Sequence, residues 1–344
     1  MPTNKRVSVL GGGSFGTVLA NIAASNGYEV CLWVRDAEQA LRINSEGANS
    51  TYHPELKLSE NITASEDLTS AVKNSDYILV ATPSNIFEEV ISRLEPLISS
   101  SVAVISCTKG VKSDPFRTMT DIINQHIGHL IGKKIGALSG PNLAKEIAEN
   151  KVAGTVIASE IDEVNFEIKT MLSSDTFKVF SSQDLQGVEL AGALKNIYAI
   201  CCGIAHEKSV GENALGLIIT RSMAEMSRFA VAKGANPITF LGLAGMGDLM
   251  ATCTSKLSRN FQLGELLARD YSFTDAKNKV GQVAEGARTL EVVYHEANKM
   301  NVSMPLVNSL YKILYANASS DELIQDLLEQ PNEVDVEFTY QDKL

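Results

Sequence analysis

The chain has 344 residues, of which 44% are hydrophobic and 21% are charged, and its formal net charge at pH 7 is −11. This length favours two domains, and this composition is typical of a folded globular protein and excludes a disordered chain. The acidic charge argues against a nucleic-acid partner, and the lack of an 18-residue apolar run argues against stable membrane insertion.

The N-terminus and the cysteines indicate the compartment. Residues 1–7 carry two basic side chains and lead directly into a predicted strand, without the apolar core of a signal peptide. The five cysteines form no Cys-x-x-Cys pair, and an odd number of them in apolar surroundings indicates reduced, buried thiols. We therefore expect a cytoplasmic protein with no structural disulfide and no metal site.

Short apolar runs rich in valine and isoleucine alternate with helical stretches up to about residue 185. Near-continuous apolar strands that are separated by helices predict an α/β fold with a mostly parallel sheet, covered by helices on both faces. The predicted strands are residues 6–10, 30–34, 77–81, 102–106, 135–138 and 155–158.

From about residue 187 onward the pattern is helical. The predicted helices are residues 188–204, 212–233, 261–269, 282–300, 305–316 and 321–328, and a further helix starts at Asn236-Pro237. We therefore predict an N-terminal domain over residues 1–186, an all-α C-terminal domain over 187–330 and an acidic tail over 331–344.

A glycine-rich motif follows the first predicted strand. Gly11-Gly-Gly-Ser-Phe-Gly16 matches G-x-G-x-x-G and leads into a helix predicted over residues 17–26. Gly11 allows a tight turn, Gly13 lets the backbone approach a pyrophosphate, and Gly16 lets helix and strand pack closely. The N–H groups at the helix start attract the phosphates. The motif predicts a Rossmann-type domain that binds a dinucleotide; the alternative is a glycine-rich turn in an unrelated α/β fold.

The residue after the second strand bears on the type of dinucleotide. An acidic residue about 20 positions after the glycines usually binds the ribose 2′-hydroxyl of NAD. Arg35 holds this position, and a guanidinium suits a 2′-phosphate and stacks on adenine. We therefore expect NADP to be accepted. The alternative is that Arg35 is solvated and Asp36 binds the ribose.

Lys195 lies in the middle of the most apolar predicted helix. A lysine there is costly unless it is paired or functional, and burial lowers its pKa toward the range of proton exchange with an alcohol or ketone. Asp248, after a glycine turn, is a candidate to orient Lys195 or to bind a substrate hydroxyl. The alternatives are a lysine that reaches solvent and an aspartate that caps a helix. Of the five histidines, His206 alone is placed to act as the acid instead.

Other polar groups suit a phosphorylated substrate. Ser258-Arg-Asn260 combines a hydroxyl, a guanidinium and an amide, which fits a phosphate monoester, although it also fits a loop into the next helix. Lys109 and Ser139-Gly-Pro-Asn142 each follow a predicted strand, where ligands of open α/β sheets bind.

These residues together resemble one family, the bacterial-type NAD(P)-dependent glycerol-3-phosphate dehydrogenases. The resemblance runs in order from residue 5 to about residue 328. Its motifs are Gly-Gly-Gly-Ser-Phe-Gly16, Cys-Thr-Lys-Gly110, Ser-Gly-Pro-Asn142, Glu-Leu-Ala-Gly-Ala-Leu-Lys-Asn-Ile197, Leu-Ala-Gly-Met-Gly-Asp248, Thr-Cys-Thr254, Ser-Arg-Asn260 and Val-Ala-Glu-Gly286.

The resemblance implies reduction of dihydroxyacetone phosphate to sn-glycerol 3-phosphate with NADH or NADPH, which supplies phospholipid synthesis. It implies that Lys195 exchanges the proton with the substrate oxygen. The implied substrate contacts are Lys109, Gly140, Asn142, Asp248, Ser258, Arg259 and Asn260. The implied dinucleotide contacts are Ser14, Phe15, Arg35, Lys109, Ala144, Arg259, Val283 and Glu285. Asn142 stands where the family more often has Ser or Thr, and the large helical domain makes a homodimer plausible.

Two other functions share part of this pattern. β-Hydroxyacid and 6-phosphogluconate dehydrogenases have the same arrangement of domains, but they place the helix lysine and its asparagine about one turn apart, whereas Lys195 and Asn196 are adjacent here. A non-catalytic dinucleotide sensor would be favoured by loss of the lysine, which is present. Oxidation of NADH by dihydroxyacetone phosphate separates these alternatives.

Overall fold

A computed structural model describes residues 5–281 and 285–328. The chain divides between Glu189 and Leu190 into two compact units. Val283 and the acidic tail over residues 331–344, both part of the sequence predictions, lie outside the described residues.

The first unit is built on an eight-stranded sheet. Its strands are β1 Arg6–Leu10, β2 Glu29–Trp33, β3 Ile62–Ser65, β4 Tyr77–Val80, β5 Ala103–Ser106, β8 Ile135–Ser139, β9 Ala153–Ser159 and β10 Phe177–Ser182, and a separate hairpin pairs β6 Val111–Lys112 with β7 Arg117–Thr118. The order in the sheet is β10-β9-β8-β5-β4-β1-β2-β3. All neighbouring strands are parallel except β8 and β9, which are antiparallel.

Helices cover both faces of this sheet, as predicted, because successive strand residues point to opposite faces. Along β4, Tyr77 and Leu79 join one apolar core, whereas Ile78 and Val80 join the other. The helices are α1 Ser14–Ser25, α2 Ala37–Glu46, α3 Leu68–Val72, α4 Ser84–Ser92, α5 Met119–Ile131, α6 Ala144–Ala148 and α7 Asp162–Leu172, with a 3₁₀ turn at Glu95–Leu97.

Every regular element described in the second unit is helical, as the sequence predicts. Helix α8, Leu185–Glu207, begins in the first unit and continues into the second. The elements after it are α9 Glu212–Ala232, a 3₁₀ turn at Pro237–Leu241, a π-helical turn at Leu243–Gly247, α10 Asp248–Cys253, α11 Arg259–Ala268, α12 Phe273–Val280, α13 Glu285–Met300, α14 Pro305–Tyr315 and α15 Glu322–Leu328.

Helix α8 is long and apolar enough to be a candidate membrane span by length and composition. This was not predicted from the sequence, because only uninterrupted runs of apolar residues were considered. Its qualifying 18-residue window is 100% buried inside the protein, as in the core helix of a globular domain. The five cysteines are also buried, and all are free thiols.

Candidate active site

The glycine loop between β1 and α1 has the geometry that a dinucleotide diphosphate needs. Gly11 has a φ of +118°, and a side-chain carbon there would lie 2.7 Å from the carbonyl oxygen of Ala81. A side-chain carbon at Gly13 would meet no described atom within 4 Å, so the backbone is approachable there. Helix α1 begins at Ser14, three residues earlier than predicted, and its N-cap residue, Gly13, has no side chain that could cap the helix. The helix start thus fits a phosphate ligand.

The end of β2 carries both candidate residues for the ribose. Arg35 is exposed and lies two residues after the last residue of β2, Trp33. The carboxylate of Asp36 accepts a hydrogen bond of 2.9 Å from the backbone N–H of Glu38 and so caps α2. Asp36 is therefore held as a helix cap, whereas Arg35 presents its guanidinium at the surface.

The carboxyl ends of the adjacent parallel strands β5 and β8 bring two predicted loops to the same sheet edge. The ammonium of Lys109 donates to the carbonyl oxygen of Gly140 at 2.8 Å. The amide nitrogen of Asn142 donates to the hydroxyl of Thr155 at 3.0 Å, while its Oδ1 is buried without a hydrogen-bond partner. An unpaired buried acceptor is costly, which suits a donor from a ligand. Ala144 begins α6 in the same segment.

Lys195 and Asp248 form a buried ion pair within the second unit. Lys195 is 6% exposed and Asp248 is 0% exposed. The Lys195 ammonium also donates to the hydroxyl of Thr252 at 2.5 Å, and that hydroxyl donates to the backbone carbonyl of Asp248 at 2.7 Å. The structure therefore contradicts both alternatives, since Lys195 does not reach solvent and the Asp248 carboxylate contacts the lysine instead of capping a helix. Thr252 was missed, although it lies four residues after Asp248 and hence on the same face of α10.

The predicted Ser258-Arg-Asn260 group lies at the start of α11. The Ser258 hydroxyl accepts from the N–H of Phe261 at 3.3 Å and is the N-cap of α11, in agreement with the alternative that this group leads into the next helix. Arg259 is exposed. The amide nitrogen of Asn260 donates to Oδ1 of Asn196 at 3.0 Å, and its oxygen accepts from the N–H of Gly286 at 3.0 Å. Asn260 therefore holds α11 to the lysine helix and to the start of α13.

Close backbone contact fixes α11 against α8. A side-chain carbon at Gly203 would lie 2.0 Å from the carbonyl oxygen of Phe261, and one at Gly264 would lie 2.1 Å from that of Ile200. Only glycine allows this approach at both positions. The residues at the start of α11 are thus held at a constant distance from the helix that carries Lys195.

Two further sequence candidates are His206 on α8 and Glu285 on α13. His206 lies 11 residues after Lys195 on α8, about 16 Å along the helix axis. Its Nδ1 pairs with Glu265 at 3.2 Å. Glu285 is the first residue of α13, and the neighbouring Val283 is not among the described residues.

Glu225, a buried carboxyl group that the sequence analysis did not single out, binds a side chain of α8, the helix that carries Lys195. Glu225 on α9 is 2% exposed and accepts from the backbone N–H of Leu306 at 2.6 Å, at the start of α14. Tyr198, one turn after Lys195, donates its hydroxyl to Glu225 at 3.1 Å. Burial raises the pKa of Glu225 to about 7.

Known proteins resemble the chain along nearly its whole length. Residues 6–165 match the family model for the NAD-dependent glycerol-3-phosphate dehydrogenase N-terminus, and residues 184–325 match the model for its C-terminus. A glycerol-3-phosphate dehydrogenase [NAD(P)+] of Alcanivorax borkumensis is 46% identical over 331 residues, which cover 96% of each chain.

Solved structures agree with these matches. A glycerol-3-phosphate dehydrogenase from Coxiella burnetii superimposes with a TM-score of 0.88 at 33% identity, covering 95% of this chain and 99% of that one. One from Saccharomyces cerevisiae superimposes with a TM-score of 0.84 at 27% identity, covering 96% and 100%. The predicted α/β fold is confirmed.

Proposed function

Since the chain belongs to the NAD-dependent glycerol-3-phosphate dehydrogenase family, we propose that it reduces dihydroxyacetone phosphate to sn-glycerol 3-phosphate with NADH or NADPH. It is an NAD(P)-dependent oxidoreductase. The observation that carries the catalytic assignment is the buried ion pair of Lys195 and Asp248, with Thr252 as a further partner of the ammonium. We assign residues 1–186 to the dinucleotide-binding domain and 187–330 to the substrate-binding and catalytic domain.

The glycine loop and the start of α1 hold the dinucleotide in this proposal. When bound, the reduced nicotinamide supplies the hydride. The diphosphate meets the backbone near Gly13 and the start of α1, because no side chain blocks its approach there. The other assigned contacts are Gly11, Gly16, Ser14, Phe15, Arg35, Lys109, Ala144, Arg259, Val283 and Glu285.

Lys195 acts as the proton donor for the ketone oxygen. Negative charge builds on this oxygen during reduction, and an ammonium stabilises the charge and delivers the proton. Asp248 and Thr252 bind the same ammonium from α10, so they restrict where its remaining proton points. In the reverse reaction Lys195 takes the proton back from the alcohol.

The phosphate group of the substrate is bound by charge and by polar groups. Arg259, exposed at the start of α11, presents a planar guanidinium that suits a phosphate dianion. The unpaired Oδ1 of Asn142 suits a hydroxyl donor. The other assigned substrate contacts are Lys109, Gly140, Asp248, Ser258 and Asn260. Binding of a phosphate remote from the reacting carbon lets its energy serve to orient the ketone.

The first test follows NADH and NADPH absorbance at 340 nm with dihydroxyacetone phosphate and, as a control, with dihydroxyacetone. We expect a decrease that requires the phosphate group. Lys195→Met is expected to abolish most turnover and to retain NADH binding. Lys233→Met is the matched control, because Lys233 forms an ion pair of 2.5 Å with Glu296 in the same unit. Folded protein that binds NADH without oxidising it would favour a sensor, and turnover of 6-phosphogluconate or 3-hydroxyisobutyrate would favour the other dehydrogenases.

We further propose that the protein works in the cytoplasm as a homodimer and supplies glycerophospholipid synthesis. The relatives' named activity supports the metabolic role, and the burial of the α8 window argues against that helix as a membrane span. Light scattering coupled to size exclusion measures the oligomeric state, and a mass near 37.1 kDa would contradict the dimer.

A further inference from the structure

The glycine loop is held from behind by two side-chain amides. Nε2 of Gln39, on α2, donates to the carbonyl oxygen of Gly12 at 2.8 Å. Nδ2 of Asn49, in the segment after α2, donates to the same oxygen at 3.0 Å. Gln39 also donates to Oδ1 of Asn49 at 3.2 Å, so each amide orients the other. Asn49 is 1% exposed.

These bonds determine the direction of a neighbouring N–H group. In a trans peptide the carbonyl and the following N–H point in opposite directions, and the cis peptide bond found in the described chain is Asp114-Pro115. Holding the carbonyl of Gly12 on one side therefore aims the N–H of Gly13 to the other side. Gly13 is also the position at which an added side-chain carbon would meet open space.

The same hold continues along the next two peptides. Asn49 donates to the hydroxyl of Thr17 at 2.8 Å, and this hydroxyl donates to the carbonyl of Gly13 at 2.8 Å. Nε2 of His53 lies 3.0 Å from the carbonyl of Ser14. Side chains thus bind the carbonyls of three successive residues. Asn49 binds that of Gly12 directly and orients the Thr17 hydroxyl, which together with the Thr17 N–H binds that of Gly13.

A run of three glycines makes this support necessary. Gly11, Gly12 and Gly13 have more backbone freedom than any other residue type, and a ligand that orders them must compensate for the lost conformational entropy. Bonds that order the loop beforehand reduce this cost of binding.

We propose that Asn49 and Gln39 are positioning residues for the dinucleotide, because they fix the Gly12–Gly13 peptide in the orientation that presents its N–H group to the diphosphate. This inference rests on the dinucleotide binding of the proposed function. Neither residue is assigned to contact the cofactor itself. Since the diphosphate is common to both cofactors, Asn49 and Gln39 affect the binding of NADH and NADPH equally.

The experiment measures the Kd for NADH and for NADPH without substrate, from quenching of the single tryptophan, Trp33. Asn49→Ala is expected to raise both values about tenfold, as for one lost hydrogen bond, and to leave their ratio unchanged. Asn49→Asp is expected to raise them more, because a carboxylate would face the Gly12 carbonyl. Gln39→Ala is expected to raise them about threefold, since Asn49 still holds the loop. In the steady state KM for the cofactor rises, while KM for dihydroxyacetone phosphate stays within about twofold.

Asn165→Ala is the matched control. Asn165 is another buried asparagine of the first unit, 5% exposed, and its Nδ2 donates to two acceptors as that of Asn49 does, here the backbone carbonyls of Ser159 and Ser182. It is expected to lower the melting temperature without changing either Kd. The inference is overturned if folded Asn49→Ala or Gln39→Ala binds NADH like the wild type, or if Asn165→Ala weakens NADH equally. Wild-type protein that binds neither cofactor would overturn the proposed function as well.

Discussion

Removing the charge of Lys195 from its buried ion pair with Asp248 should affect both catalysis and stability. Lys195 and Asp248 are 6% and 0% exposed, so water cannot replace a lost partner without rearrangement. Removing one member of a buried ion pair typically costs about 3–5 kcal/mol, because the other charge stays buried without it. Lys195→Met keeps the length of the side chain and removes the charge. We therefore expect it to destabilise the protein by about 3–5 kcal/mol.

The double variant Lys195→Met/Asp248→Asn removes both charges. It should be more stable than the sum of the two single losses predicts, with a coupling of about 2 kcal/mol, because no buried charge remains. Turnover should nevertheless stay about 10²–10⁴-fold below wild type in the double variant, since the proton donor is absent. Stability is thus recovered, whereas activity is not.

The assay is urea unfolding of the wild type, both single variants and the double variant. Far-UV circular dichroism follows the helices of both units, and Trp33 fluorescence follows the first unit alone, so a difference between the two transitions reports the second unit. Additive losses in the double variant would show that the two groups do not interact. Ordinary turnover of Lys195→Met would refute its role as the proton donor.

Three further predictions concern single side chains. Arg35→Ala should raise KM for NADPH about tenfold and KM for NADH at most about twofold in 340 nm assays, and equal effects would contradict the 2′-phosphate contact. Arg259→Ala should raise KM for dihydroxyacetone phosphate about 10- to 100-fold, as for a lost charged hydrogen bond, and an unchanged KM would remove it from the phosphate site. The pKa of Glu225 rises on folding from 4.5 to about 7, so stability should fall as pH rises through this window, by about 1.4 kcal/mol per pH unit at most. Urea unfolding at pH 5, 6 and 7 should show a smaller fall for Glu225→Gln, and an identical fall would refute the assignment.

The strands that the sequence predicted and those it missed differ in their place in the sheet. The interior strands β1, β4 and β5 are nearly continuous apolar runs, because both faces of each are covered. The two strands that were missed in the main sheet, β3 and β10, are its edges. In β10, Phe177 and Val179 are buried while Lys178 and Phe180 are exposed, so the strand alternates and no apolar run marks it. The antiparallel pairing of β8 with β9 has no local signal either, since both read as buried strands.

Short helices were missed for a related reason. Helix α12 buries Ala276 alone among its residues and has few apolar residues, so no apolar stretch marks it in the sequence as one marks α8. Its ends carry the local signals: Ser272 caps its start and Gly281, with a φ of +72°, ends it.

Whether a site residue could be predicted from the sequence depended on what its side chain binds. A lysine inside an apolar helix is costly unless it is paired or functional, so Lys195 was conspicuous by itself, and Asp248, which follows a glycine turn, was a candidate to orient it. Asn49 and Gln39 bind a backbone carbonyl, and every residue offers such a carbonyl. Asparagine and glutamine are equally common on protein surfaces, so nothing in the sequence distinguishes these two positioning residues from solvated side chains. Only the fold, by bringing the segment after α2 against the glycine loop, turns these ordinary residues into a support for the diphosphate site.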